Sequence, residues 1–317
     1  MTASPAPLPV LNWLEGRHDV YSRAGAADLQ SAIHRNLMNT FRDETSAAAY
    51  LATDRSHWRQ QAIIKAQFVM GRTYTGTILE IGAGTGWASS LLSTLPQVEK
   101  VYCSDYDAVS VETLMPQVQK TLNADAAKIQ RVFGSFNNIP MENEVDTVIS
   151  IGALHHSENL FVTLSECFKA LKPGGWLVAS EPTYPDSENN RKIEARYKKE
   201  DATSIKKYGK VTRHEDNSDH YYRLSEFIAA AYSAKFDTYP FVFDLMGSRQ
   251  ADDRILQDRK VGTGFFPNVL YPYFAKNPAN PMFDILMLVL QKPADGGCDL
   301  KHVLSGSGQV WAATGGA

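Results

Sequence analysis

Cysteine is scarce in this chain of 317 residues: Cys103, Cys167 and Cys298 stand far apart, with no Cys-x-x-Cys pair and no even count. That excludes a disulfide framework and leaves three reduced thiols in the core or at the surface. No His, Cys and Asp residues cluster with ligand spacing either, so no metal is expected. Long apolar runs are missing. The stretch Ile285 to Leu290 is far shorter than the roughly 20 residues that cross a bilayer, and the Ala/Pro-rich start from Met1 to Pro9 has neither a basic region nor an apolar signal core. The expected address is therefore cytoplasmic, with no membrane partner. Neither sign of charge dominates: 32 Lys and Arg against 35 Asp and Glu give a formal net charge of −3, which exerts no global pull toward nucleic acid. With 44% hydrophobic residues, the chain can bury one large core, or a core plus a cap.

What is present is concentrated first in Ile78-Leu79-Glu80-Ile81-Gly82-Ala83-Gly84-Thr85-Gly86. This reads as a buried strand entering a glycine loop and then a helix. Glycines at alternate positions permit positive φ and close backbone approach to a ligand at a helix N-terminus. A dinucleotide fingerprint, Gly-x-Gly-x-x-Gly, needs its third glycine where this chain has Trp87, which weakens a nicotinamide reading. Glu80 before the loop, and Asp105 at the end of the apolar run Val101-Tyr102-Cys103-Ser104, suit a ligand with hydroxyls and a cationic centre better than a pyrophosphate.

Here the chain resembles the class I S-adenosylmethionine (SAM)-dependent methyltransferases, of the type 11-like group in the Rossmann-like superfamily. The resemblance rests on ordered motifs. The acidic strand with its glycine loop comes first, and Asp105 then matches the ribose-binding acid that ends the second strand. Gly134-Ser135-Phe136-Asn137-Asn138-Ile139-Pro140-Met141 looks like the adenine loop. Val145-Asp146-Thr147-Val148-Ile149-Ser150, followed by Ala153-Leu154-His155-His156, looks like the fourth strand and its exit. Leu171-Lys172-Pro173-Gly174-Gly175-Trp176-Leu177-Val178 resembles the turn feeding the fifth strand. The resemblance covers about Thr77 to Glu181 and implies SAM as cofactor, held by Glu80, Gly82, Ala83, Gly84, Gly86, Asp105, Tyr106, Ser135, Phe136 and Ile151. One departure stands out. The family often carries an acid after the glycine that opens the adenine loop, whereas this chain has Ser135; the adenine contact then falls to Ser135, to Asn137 or to the backbone around Phe136.

From Thr77 onward, apolar strands alternate with amphipathic helices, the pattern of a parallel sheet with right-handed crossovers. Together with the resemblance, which implies that the last apolar strand, Met282 to Gln291, pairs antiparallel, this gives the expected fold: α/β, a Rossmann-like, seven-stranded, mostly parallel sheet with an antiparallel last strand, an N-terminal helical cap and substrate-side insertions. The expected organisation is a cap over 1–70, a SAM-binding core over 71–182, an insertion over 183–222, the rest of the core with a second insertion over 223–293, and a flexible tail over 294–317. Residues from about Ala26 to Met70 have helical spacing; in the family resembled, N-terminal helices often fold over cofactor and substrate, which implies a lid role for Tyr21, Tyr50 and Trp58, with core padding as the other role open to them. The first insertion is locally basic, from Arg191 to Arg213, which reads as a solvated helix or as a surface steering an anionic group. The second, Gly247 to Pro281, is rich in Phe and Tyr and reads as a pocket wall or a satellite cluster.

Alignment of a nucleophile and removal of its proton are what methyl transfer from a sulfonium asks of an enzyme. A base working near neutral pH is by default histidine. The candidates are His155 and His156, of which the family's counterpart to His156 is often structural, and His220 with Tyr222 as hydroxyl partner. Substrate contacts are expected at Glu181, Tyr184 and Tyr222; capping the strand exit is the other role open to Glu181. The expected activity is methyl transfer to an oxygen or nitrogen of a small-molecule acceptor, with a homodimer left open. The alternatives are an RNA or protein methyltransferase, which would use the basic insertion, and a non-catalytic SAM-binding subunit.

Overall fold

A computed structural model of the chain describes residues 8–14, 35–184, 186, 189–208, 220, 222–243 and 284–294. The expectations resting on Tyr21, the segment 247–281 and the tail beyond 294 lie outside these residues, as does the side chain of Trp58.

In chain order the elements are β1 (Leu11–Asn12), α1 (Glu44–Leu51), α2 (Asp54–Met70), β2 (Gly76–Ile81), α3 (Trp87–Ser93), β3 (Val98–Asp105), a π-helical turn (Ser110–Leu114) leading into α4 (Met115–Thr121), β4 (Ile129–Phe133), β5 (Val145–Ile151), a 3₁₀ turn (Leu154–His156), α5 (Leu160–Ala170), β6 (Leu171–Thr183), α6 (Asn190–Tyr208), α7 (Leu224–Ser233), β7 (Asp237–Phe243) and β8 (Asp284–Gln291). Local chemistry sets several boundaries. Asp43 caps α1 by accepting from the Ser46 N–H at 2.7 Å, and Gly71, at φ 67, terminates α2 in the left-handed region that glycine enters without penalty. Pro116, at the start of α4, has no N–H to donate to the preceding turn. The chain widens there, with the Met115 N–H reaching back to the carbonyl of Ser110.

The sheet has the order β1-β4-β3-β2-β5-β6-β8-β7. β1 to β6 pair in parallel, and β8 lies antiparallel between β6 and β7. Seven of the eight strands are those read from the sequence. The eighth, β1, is a two-residue edge strand on β4, too short to leave a periodic signal. β6 takes in the segment Leu171 to Val178 read as the turn feeding the fifth strand, and it carries Glu181 inside the strand.

Buried side chains fill both faces, as a parallel sheet requires. On one face α2 packs on β6 and β8, where Ala62 and Ala66 are fully buried and let the helix approach closely. On the other, α5 and α7 pack together over Leu79, Val148, Leu177 and Leu288. The chain leaves β2 to one side, toward β3 and β4, and returns to place β5 and β6 on the other. The order therefore reverses between β2 and β5, and ligands of open α/β sheets bind at the carboxyl end of such a switch point. The first insertion is helical at α6, with Arg191, Lys192, Lys198, Lys199 and Lys206 exposed and Ile193 buried. Among the described residues no helix is long and apolar enough to cross a membrane.

Candidate cofactor and active site

The loop after β2 divides its three glycines between packing and access. Gly82, Gly84 and Gly86 all have positive φ, at 57°, 55° and 70°. A Cβ on Gly82 would collide with the Ala153 methyl across the β2–β5 switch point, and one on Gly86 would lie 2.9 Å from Cys103 Sγ and 3.2 Å from Met115 Cγ. These two glycines let backbone pack against the neighbouring strand and helix. Gly84 differs, since a Cβ there would meet nothing within 4 Å. The loop is held by Ala83 N–H to Ser104 O at 2.9 Å and Gly86 N–H to Ala83 O at 2.8 Å, so the open backbone surface at Gly84 is fixed in place.

Two carboxyls flank this loop. Asp105, 7% exposed, accepts from the Gly84 N–H at 2.7 Å and the Asp107 N–H at 2.9 Å; burial nevertheless pushes it up to about 6. Glu80, 2% exposed, lies beneath the loop and accepts from Ser89 N–H at 2.8 Å and Ser89 Oγ–H at 2.5 Å. Gly86 has no side chain to cap α3, and Glu80 supplies the missing acceptor to the first turn. Burial raises Glu80 to about 7, against the two Ser89 bonds that lower it. The folded state thus binds more protons here than the unfolded chain. Ionising Glu80 as pH rises from about 4.5 to about 7 lowers stability by that linkage.

Gly134 and Ser135 follow β4, with Gly134 N–H bonded to Asp105 O at 2.9 Å. Ser135 Oγ accepts from Asn137 N–H at 3.2 Å, and Asn137 Oδ1 accepts from Thr163 at 2.6 Å. Phe136 sits beside Gly82, Ile151 is buried at the end of β5, and Tyr106 projects with 44% exposure. The ten residues expected around a cofactor therefore all surround the carboxyl ends of β2, β3, β4 and β5. Trp13 joins them unforeseen: its indole carbon lies 3.1 Å from the position of a Cβ on Gly134. An edge strand of two residues gave no warning of it.

The turn after β5 holds a second constellation. Glu181 Oε1 accepts from Ser150 Oγ–H at 3.1 Å and from the N–H groups of Ala153 and Leu154, both at 2.9 Å. Its Oε2 lies 2.9 Å from His155 Nδ1 and accepts from the His155 N–H at 3.4 Å. Glu181 is 1% exposed. Burial works to raise its carboxyl, but the His155 bond and charge and the backbone donors outweigh it and hold it below the usual range. These bonds anchor the turn from inside the fold.

His155 is buried, whereas His156 is exposed and stacks on it with ring centroids 4.1 Å apart. The end of the first insertion lies on the same turn. His220 N–H donates to His155 O at 2.6 Å, and its ring packs 5.8 Å from that of Tyr222. Tyr222 donates to Ser157 O at 2.5 Å, and burial followed by the charges of Glu226 and Glu158 pushes its phenol up to about 12. It is a neutral donor to backbone that ties the insertion's exit to the turn. Tyr184 is likewise buried, and its backbone bonds to Tyr222 and Leu224. The structure therefore gathers His155, His156, His220, Glu181, Tyr184 and Tyr222 about one turn, with His155 paired to the buried acid.

Residues 79–179 match the family described as "Methyltransferase domain". The tenellin synthetase of Beauveria bassiana is 36% identical over 120 residues, which is 35% of this chain and 3% of that protein. A demethylmenaquinone methyltransferase of Lactiplantibacillus plantarum is 27% identical over 132 residues, covering 41% of this chain and 53% of that protein. The chain thus spans about half the length of the second relative and a small part of the first. A solved structure named as a sarcosine dimethylglycine methyltransferase, from Galdieria sulphuraria, shares the fold at a TM-score of 0.51 and 19% identity, over 78% of this chain and 88% of that one. The open surface at Gly84 and the buried acid beside it fit a ligand carrying ribose hydroxyls and a cationic centre, and the segment 79–179 belongs to the class I, S-adenosylmethionine-dependent methyltransferases of Rossmann-like fold.

Proposed function

We propose that the whole chain transfers a methyl group from SAM to an oxygen or nitrogen of a small-molecule acceptor. The observation that carries this reading is the open backbone at Gly84 facing buried Asp105 at the switch point of the sheet. Bound there, SAM supplies an electrophilic methyl on a sulfonium. Asp105 accepts the ribose hydroxyls, for which its raised affinity for protons at about 6 is suited, since each hydroxyl offers a proton to share. Gly82, Ala83, Gly84 and Gly86 present backbone to the centre of the ligand. Tyr106, Ser135 and Phe136 border the adenine end, Ile151 lies on the opposite side at the exit of β5, and Glu80 contributes from beneath by fixing α3.

His155 is the proton acceptor in this proposal. Its Nδ1 faces the Glu181 carboxylate at 2.9 Å, which favours the proton on Nδ1 and the lone pair on Nε2. Glu181 also ties three consecutive backbone N–H groups, at residues 153, 154 and 155, so the imidazole is held on a rigid turn. His156 and the His220–Tyr222 segment line the approach. The small acceptor is supported by the insertion exit lying directly on this turn, which leaves His155 covered by the chain itself.

The test is incubation of purified protein with methyl-labelled SAM and a cell extract, with label counted in the small-molecule, RNA and protein fractions. Label among small molecules is expected. Label confined to RNA, lost steeply with added salt, or to protein would contradict the small-acceptor reading.

A further inference from the structure

Arg59 was not singled out by the sequence, where it is one cation in a helical stretch. α2 runs toward the start of β2, so its C-terminal end lies at the bottom of the sheet and its first turns lie at the carboxyl ends of the strands. Ala62 and Ala66, both fully buried, bring the helix down onto the sheet. Arg59, one turn before Ala62, is thereby placed over the exit of β5.

The contact is close. A Cβ added to Gly152 would lie 2.5 Å from an Arg59 guanidinium nitrogen, 3.2 Å from its Cζ and 3.6 Å from its Nε. Three atoms of the planar group thus face the Gly152 backbone. Gly152 has φ 68°, and its N–H is bonded to Ser180 O at 2.8 Å. The peptide beneath the guanidinium is therefore fixed, and only glycine leaves room for it.

We propose that Arg59 binds the carboxylate of the cofactor's amino-acid tail. This rests on the SAM reading above. The strands stand in the order β3, β2, β5, with Asp105 at the end of the first, the open Gly84 loop after the second and Gly152 with Arg59 after the third. A ligand whose ribose meets Asp105 and whose centre lies on Gly84 extends its tail toward Gly152. That tail ends in an ammonium and a carboxylate. A guanidinium is the side chain whose paired N–H donors match a carboxylate.

The test is calorimetric binding of S-adenosylhomocysteine and of its decarboxylated analogue, which keeps the ammonium, to the wild-type chain and to Arg59→Met and Arg59→Lys. Arg59→Met is expected to weaken S-adenosylhomocysteine by roughly tenfold or more, the scale of one charge-assisted pair, and to leave the analogue unchanged. Arg59→Lys should fall between the two. Binding of the analogue also reports that each variant is folded. Equal loss for both ligands would make Arg59 a structural residue and overturn the proposal, as would no loss for either. A wild-type chain that binds neither ligand would instead overturn the SAM reading itself.

Discussion

Gly84→Val is expected to weaken S-adenosylhomocysteine binding by more than about a hundredfold, a change of roughly 2.7 kcal/mol, while the chain stays folded. The reason is where the new atoms go. At Gly84 a Cβ meets nothing within 4 Å, so a valine would fill only the space assigned to the ligand. The residue sits at φ 55°, and placing a branched side chain there stores about 1–3 kcal/mol of backbone strain. Gly86→Val gives the contrasting phenotype. Its Cβ would press on Cys103 Sγ and Met115, both fully buried, so overpacking should lower the melting temperature first. Titration calorimetry beside thermal melts separates the two. Equal effects from both variants would show that the glycines serve packing alone.

Glu181→Ala is expected to destabilise the fold by about 3–5 kcal/mol, the cost of removing one partner from a buried, hydrogen-bonded charge pair. The Ser150 hydroxyl, the N–H groups of Ala153 and Leu154 and the His155 ring would all lose their acceptor inside a closed turn. Glu181→Gln keeps one acceptor oxygen and should cost less. The acid limb follows with a definite sign. Because the carboxyl is held below its ordinary value in the folded chain, its contribution is complete above the unfolded value of about 4.5 and is lost as pH falls through the folded value. Chemical denaturation from pH 7 down to pH 3 should therefore show wild type and Glu181→Gln converging at the acid end. A constant difference across that range would mean that the charge on Glu181 contributes nothing.

The parts of the site that sequence made legible are those in which backbone chemistry restricts the residue. Gly82 and Gly86 need glycine where a Cβ would collide, Gly84 sits at positive φ in open space, and Asp105 interrupts an apolar run at a strand's end, so the loop and the acid stand out in a single chain. The parallel sheet followed from alternation, the last strand from the apolar run before Gln291, and its antiparallel direction from the family resemblance alone. What escaped depends on facing and on distance along the chain. Whether Glu181 pointed outward or back toward Ser150 depended on the true end of β6, which ran beyond the apolar stretch. Arg59 gained its place from the approach of α2, set by Ala62 and Ala66 rather than by any feature of its own neighbourhood. Pro116 was visible, but a π-helical turn ahead of it leaves the same spacing as an ordinary helix start. Trp13 reached Gly134 through a strand of two residues.

The measurement closest to the central claim is calorimetric titration of the wild-type chain with S-adenosylhomocysteine and, separately, with NAD. The account predicts saturable, stoichiometric binding of S-adenosylhomocysteine and none of NAD, since Trp87 stands where the dinucleotide loop requires its third glycine. Absence of S-adenosylhomocysteine binding, or preference for NAD, would contradict it.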